Sequence, residues 1–382
     1  MTTVVTPISS ARIAAVPPAP DTPRRVGGFG PPDAGVLAGC AGSALCLIWL
    51  VFTVGPYSAG PVGFLVSSYA AFLAIYWLVV RELDGPVLAG DRLMAVVVGS
   101  AALAMVVPLV LILGYVVIKG LPGLTWHLFT QTQEFVGPLS SATAGGAAHA
   151  IVGTLEQVGL ACLISVPLGF LCAIFLNEIG GPLRRPVRIF VDAMSGVPTI
   201  VAGLFVYAFW VINFGFSGFA AAIAISISML PIVTRTSEEV LRLVPDGLRE
   251  ASLALGGSEW RTTWGVVLPT ARSGLVTAVI LGVARAIGET APLIATAFGN
   301  SVMNANPFSG AQAALPLYIY HLFTETPTAS VQQRAWTGSL VLMILVLTLF
   351  TIARLIGRRA APGRRMRGSM EAPATAANEG DA

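Results

Sequence analysis

Charge is what this 382-residue chain has least of: Asp, Glu, Lys and Arg together make up 11% of it, against about 25% in a soluble domain. Lysine is nearly absent, with Lys119 the single one. A Gly-x-x-x-x-Gly-Lys-Ser/Thr phosphate loop is therefore missing, and the chain does not carry its own nucleotide site of that kind. Cys40, Cys46, Cys162 and Cys172 lie in apolar runs without paired ligand spacing, which excludes a disulfide framework and leaves them as small hydrophobic packers. The three histidines, His127, His149 and His321, fall far apart between apolar runs and make a poor metal set. Neither a Ser/His/Asp set nor a His-Glu-x-x-His pair stands in those runs, which argues against an intramembrane hydrolase. No cofactor is implied.

What is present is hydrocarbon. Hydrophobic residues make up 55% of the chain. They gather into about eight runs, most long enough to cross a bilayer core of roughly 30 Å as helices. The runs fall near Gly35 to Thr53, Val62 to Val80, Leu93 to Ile118, Ile151 to Phe175, Ile189 to Phe214, Phe219 to Val233, Gly274 to Thr296 and Thr337 to Ile356. Barrel strands would show short alternating segments instead, so the expected fold is an all-α integral membrane protein. The segment from Arg81 to Pro86 divides it into an N-terminal hairpin, residues 35–86, and a six-helix core, residues 93–357.

Arginine sets the expected orientation. Arg12, Arg24 and Arg25 precede the first run, Arg81 and Arg92 follow the second, and Arg184, Arg185 and Arg188 follow the fourth. Arg235, Arg242, Arg249 and Arg261 follow the sixth, and a cluster from Arg354 to Arg367 closes the chain. The alternate loops carry almost no positive charge, Lys119 and Arg334 excepted, so both termini and the loop at 237–272 are expected in the cytoplasm. The net charge of +3 follows from this bias and calls for no nucleic-acid partner. Residues 1–34 and 358–382 read as cytoplasmic tails, the first rich in Pro, Ala and Thr and the second basic. The outer loops, Leu121 to Ala150 and Gly299 to Trp336, are long enough to meet an extracytoplasmic partner or to serve as packed cover.

Two polar stretches carry mechanism. A helix from about Pro245 to Leu255 places Leu248, Ala251, Ser252 and Leu255 on one face, with Arg249 and Glu250 more exposed. Gly256-Gly257 ends it and Ser258 starts the next helix, which enters the membrane at Pro269. The second stretch is Ala284 to Leu293. Arg285 and Glu289 are four residues apart, on one helical face near the middle of the seventh run, where unpaired charge is costly. Gly282, Ala286 and Gly288 allow another helix to approach the pair closely. For an anion, the Arg285 guanidinium supplies a planar fork of donors, which Glu289 would hold in place and weaken. A purely structural ion pair remains the alternative. Arg235 follows Pro231, which can kink or end the sixth helix, and serves either an anion exit or a positive-inside anchor. Glu156 lies near the outer end of the fourth run.

Glu250-Ala251-Ser252, Gly256, Val266, Leu268 and Pro269 resemble the cytoplasmic Glu-Ala-Ala loop of ABC importer permeases, with Ser252 and Val266 as mild departures. That loop docks the ATPase, so the resemblance assigns coupling to Glu250, Ala251, Ser252, Gly256, Leu268 and Pro269. Arg285 to Leu293, Gly196 to Leu204, Arg235 to Glu239, Leu315 to Tyr320 and Ala335 to Gly338 are similar to the PstA-type permease of phosphate importers. The resemblance implies a type I ABC importer transmembrane domain in a bacterial cell membrane. It places Arg285, Glu289, Thr290, Arg235 and Thr199 on the substrate path, Thr199 standing where the family has Ser. It further implies a PstC-type sister permease, two copies of a PstB-type ATPase and a PstS-type phosphate-binding protein as partners. The hairpin at 35–86 departs from the usual six-span plan. A permease for another oxyanion or solute stays open, as does an ion-gradient-driven carrier, against which the coupling loop argues.

Overall fold

The computed structural model describes residues 31–54, 60–324 and 328–359, and every secondary-structure element among them is helical. Most of both expected tails, with Arg12, Arg24, Arg25 and the arginines beyond 359, lies outside the described residues. Seven described helices are long and apolar enough to span a membrane, and a sharply bent pair supplies an eighth if it counts as one span. The chain divides into two compact units at Leu109 and Val110.

In the first unit, α1 (Pro31–Val54) and α2 (Gly60–Asp84) form a hairpin, and α3 (Pro86–Gly120) begins after Gly85 at φ 89°. Cys40, Tyr76, Val80, Ala89 and Val96 make a small buried core. Arg92 Nη1 ties the helix ends together, at 2.8 Å from Asp33 and 3.0 Å from Asp84. Cys46, read as an interior packer, points outward instead.

The second unit holds the rest of α3, the short α4 (His127–Thr130), α5 (Ala148–Ile174), α6 (Arg184–Ser195), α7 (Thr199–Val206), α8 (Ile212–Phe214) and α9 (Gly218–Arg242). There follow α10 (Asp246–Ala254), α11 (Glu259–Thr262), α12 (Leu268–Ile287), α13 (Ala291–Thr296), α14 (Leu315–Thr324) and α15 (Ala329–Arg359). At its centre α9 lies against α5 and α12. Small residues make the approach close: Ala220, Ala221, Ala222 and Ala224 are fully buried, and Gly169 and Gly282 both face Val233 with no room for a side chain. Around them Val158, Ile225, Met229, Ile287 and Leu317 close the main core.

Five expectations about the extent of the spans change. The run at 189–214 is not one helix, because α6 and α7 meet at 101° across Gly196-Val197-Pro198, where proline keeps the preceding residue out of the helical region. The sixth span does not end near Val233: α9 carries Pro231 within it and continues to Arg242. The seventh begins earlier, since α11, a π-helical turn at Thr263–Val267 and α12 form one apolar stretch from Glu259 to Ile287. It also ends earlier, as Gly288 to Thr290 interrupt the helix and Pro292 opens α13, where a ring in place of N–H costs nothing. Finally, α15 starts at Ala329, eight residues before Thr337.

Candidate functional site

The polar helix after α9 forms as its sequence dictates. Asp246 stands in the first turn of α10, Gly256 turns the chain at φ 83°, and the Ser258 hydroxyl caps α11 by accepting from the Arg261 N–H at 3.4 Å. Ser252 Oγ meets Thr262 Oγ1 at 2.8 Å, joining the two helices across the turn. Leu248, Ala251, Ser252, Leu255, Gly256, Arg261 and Val266 line an open concavity of about 440 Å³. Glu250 is exposed beside it, as is Pro269 at the start of α12, whereas Leu268 packs on the cluster of Ala173, Leu241 and Val267.

Arg249 departs from expectation. It turns inward, donating from Nε and Nη2 to the two Glu178 carboxylate oxygens at 3.2 and 2.9 Å. The same guanidinium reaches the Leu241 and Val244 carbonyls and Asp246 Oδ1 at 2.7 to 2.9 Å. Glu178 belongs to a π-helical turn, Phe175–Ile179, that extends α5. Hydrogen bonding to Glu178 holds the Arg249 pKa above its ordinary value, so the guanidinium stays charged. Four of these acceptors, all but Asp246 of α10 itself, thus fasten α10 to the ends of α5 and α9.

A second cluster lies one turn back on α9. Glu238, 2% exposed, accepts from Arg188 of α6 and from Arg242 Nη2 at 2.6 Å, and forms a longer ion pair with Arg235 Nη1 at 3.9 Å. Arg235 also pairs with Asp192 of α6, so two carboxylates already engage it. The arginine-rich loops showed that positive charge gathers here. Its carboxylate partners, Glu238 on α9 and Asp192 on α6, were missed.

Arg285 and Glu289 come together at 3.3 Å, Nε to Oε1, but not in mid-helix as expected. Arg285 occupies the last turn of α12 and Glu289 the break after it. A cation there complements the free carbonyls of a helix end. The exposures differ: the Glu289 side chain is 12% accessible and that of Arg285 is 53%. The arginine side chain is thus presented outward while its carboxylate partner is packed. Thr290 caps α13 with its backbone carbonyl, which accepts from Leu293 N at 3.1 Å. Of the three small residues expected to admit a neighbour, Gly282 and Ala286 are buried, while Gly288 is exposed and only ends the helix.

The motif at the sharp bend also meets the one that carries Arg285 and Glu289. A Cβ on Gly203 of α7 would stand 2.6 Å from the Pro292 Cα of α13, so α7, with Thr199 at its start, packs directly on the segment that follows Glu289.

At the far end of α5 and α9 from α10, the loops are built rather than loose. Glu156 Oε2 accepts from Gln312 Nε2 at 2.5 Å, and Gln157 Nε2 donates to Gln312 Oε1 and the Ala313 carbonyl, each at 3.1 Å. Phe219 N donates to the Pro307 carbonyl at 2.7 Å. His149, expected in a loop, is the second residue of α5 and is buried.

A bundle of apolar spans with one firmly clamped polar helix at one end, and an outward-presented arginine at a helix break, defines a membrane transport component. The family model for the binding-protein-dependent transport system inner membrane component matches residues 165–365. The chain is 41% identical over 267 residues to the phosphate transport system permease protein PstA 1 of Mycobacterium tuberculosis strain H37Rv, covering 68% of this chain and 85% of that protein. It is 35% identical over 286 residues to the phosphate transport system permease protein PstA of Haemophilus influenzae, covering 74% and 96%. Among solved structures, an inward-facing MetNI methionine ABC transporter chain matches with a TM-score of 0.45 at 23% identity, covering 56% of this chain and 94% of that one. The chain belongs to the family of binding-protein-dependent inner-membrane transport components, alongside its PstA permeases.

Proposed function

We propose that this chain is the permease subunit of an ATP-driven inorganic phosphate importer, forming half of the translocation path. The observation that carries the reading is the unequal exposure of the Arg285–Glu289 pair, 53% against 12%. A guanidinium fork held from one side and open on the other matches the geometry of a tetrahedral oxyanion. The names of the relatives supply the cargo. Thr290, Thr199 and Arg235 complete the path in this reading.

ATP is hydrolysed on a separate subunit of the PstB type, present in two copies, which docks on α10 through Glu250, Ala251, Ser252 and Gly256. Exposed Leu248, Leu255 and Trp260 supply apolar surface for that contact. Leu268 and Pro269 pass the motion into α12. A PstC-type sister permease and a PstS-type binding protein complete the importer. Both termini and α10 face the cytoplasm, by the distribution of arginine.

The test is labelled phosphate uptake into vesicles that hold the reconstituted importer, with and without internal ATP and with arsenate, sulfate or molybdate as competitors. Uptake that needs ATP and yields to arsenate is expected. Uptake driven by an ion gradient without ATP would replace the reading with a secondary carrier, and stronger competition by sulfate or molybdate would change the cargo.

A further inference from the structure

At the end of the second unit opposite α10, a cavity of about 430 Å³ opens between the loop before α5, the turn after α13, α14 and the first turns of α15. Arg334 lines it and is 3% exposed. Its Nη2 donates to the Gly137 carbonyl at 3.0 Å, while Nε and Nη1 have no partner. Among the described residues no Asp or Glu lines the cavity and none pairs with Arg334. A guanidinium does not give up its proton, so burial without a counter-charge is unfavourable until an anion arrives.

The lining is mixed, and its polar groups are fixed. Gln133 Nε2 donates to the Tyr318 hydroxyl at 3.0 Å, and Gln133 N to the Ser301 carbonyl at 3.1 Å. That leaves the Tyr318 O–H to donate into the cavity, and burial pushes its pKa up to about 12, so the proton stays on. His149, 2% exposed and packed edge-on to Tyr318, keeps Nδ1 without a partner. Phe298 at φ 65° and Gly299 at φ 86° make the tight turn that brings Asn300 and Ser301 to the rim. A non-glycine residue in the left-handed region is retained where its surroundings dictate it.

We propose that this cavity is a second oxyanion site, separate from Arg285, that takes a free tetrahedral anion of the phosphate class with part of its hydration shell. Arg334 supplies the charged fork, and Tyr318 and His149 supply neutral polar contacts. The site is argued from this chain's own unpaired cation and holds whether or not the chain transports phosphate.

The experiment is equilibrium binding of labelled phosphate to the full chain in zwitterionic nanodiscs, on an Arg285→Gln background so that Arg285 does not contribute. Saturable binding that arsenate displaces is expected, weakened about tenfold or more by Arg334→Gln and less by Arg334→Lys. Val136→Trp fills the cavity without touching the charge, and is expected to abolish binding even if Arg334→Gln fails to fold. The proposal is overturned if the background chain shows no saturable binding up to about 10 mM phosphate. It is equally overturned if Val136→Trp binds as the background chain does. Displacement by phosphatidic acid built into the disc, with no effect of arsenate, would reassign the cavity to a lipid phosphate.

Discussion

Glu178 at the end of α5 receives two hydrogen bonds from Arg249 of α10, across 71 positions of sequence. Both side chains are mostly buried, at 8% and 18% exposed. Removing one partner of such a pair strands the other, at a cost of roughly 3 kcal/mol. Arg249→Ala and Glu178→Gln are therefore expected to loosen α10 from the span ends while the bundle stays assembled. Hydrogen exchange would read this as faster exchange of the α10 amides, with α5 and α9 little changed. Arg249→Lys is expected to rescue poorly, because an ammonium lacks the planar fork that meets both carboxylate oxygens. Unchanged α10 protection in all three variants would show that the clamp does not hold the helix.

The turn after α10 offers a cleaner backbone test. Gly256 sits at φ 83° with open space around the position of a Cβ, so strain there comes from backbone conformation and not from a clash. Gly256→Ala is expected to cost about 1 kcal/mol, and Gly256→Val more, since a branched side chain tolerates that region worst. The variants remain membrane-inserted but misdirect α11 relative to α10. Co-purification with the ATPase is expected to fall from glycine through alanine to valine. Equal recovery of ATPase with all three would separate the turn from docking.

Local rules made that turn legible. Gly256-Gly257 and Ser258 act through their own backbones and nearest neighbours, and the apolar runs declared the spans through length alone. Arg249 was misread as exposed because its partner, Glu178, lies on another helix. The pairings of Arg188 with Glu238 and of Arg235 with Asp192 were hidden for the same reason, whereas Arg242 and Glu238 are neighbours on α9 itself. The break in the seventh span was available in principle, since Gly288 and Pro292 are both helix punctuation, but the apolar run around them masked it. The sharp bend at Pro198 carried the same kind of signal. Arg334 stood out as a cation in a loop otherwise poor in positive charge, yet only its three-dimensional surroundings reveal that it is buried and incompletely bonded.

The contact between α7 and α13 joins two motifs that are far apart in sequence. Gly203 faces Pro292 so closely that any side chain meets backbone, with the nearest approach at 2.6 Å to a Cα. Gly203→Leu is expected to separate the helices or shift Pro292, at about 1–3 kcal/mol. Because Pro292 follows the Glu289 break, phosphate uptake is expected to fall about tenfold or more, in proportion to 1.4 kcal/mol per decade. Gly203→Ala gives a smaller loss of the same kind. Normal uptake by Gly203→Leu, in protein shown to be folded, would detach this contact from transport.

The Arg285–Glu289 pair makes the sharpest distinction, because its two members are expected to fail in different ways. Arg285→Gln removes the only charge in the pair that attracts an anion, so uptake is expected to fall at least about tenfold at every phosphate concentration. Glu289→Gln has the opposite first effect. Its carboxylate, 3.3 Å from the Arg285 Nε, competes with phosphate for the guanidinium. Neutralising it frees the fork, and the half-saturating phosphate concentration is expected to drop. Release then slows, because nothing displaces the bound anion, and the maximal rate drops too. Uptake measured over a range of phosphate concentrations separates the cases: a lower maximum with a lower half-saturation point identifies Glu289 as the competitor. A higher half-saturation point would instead mean that Glu289 only orients Arg285.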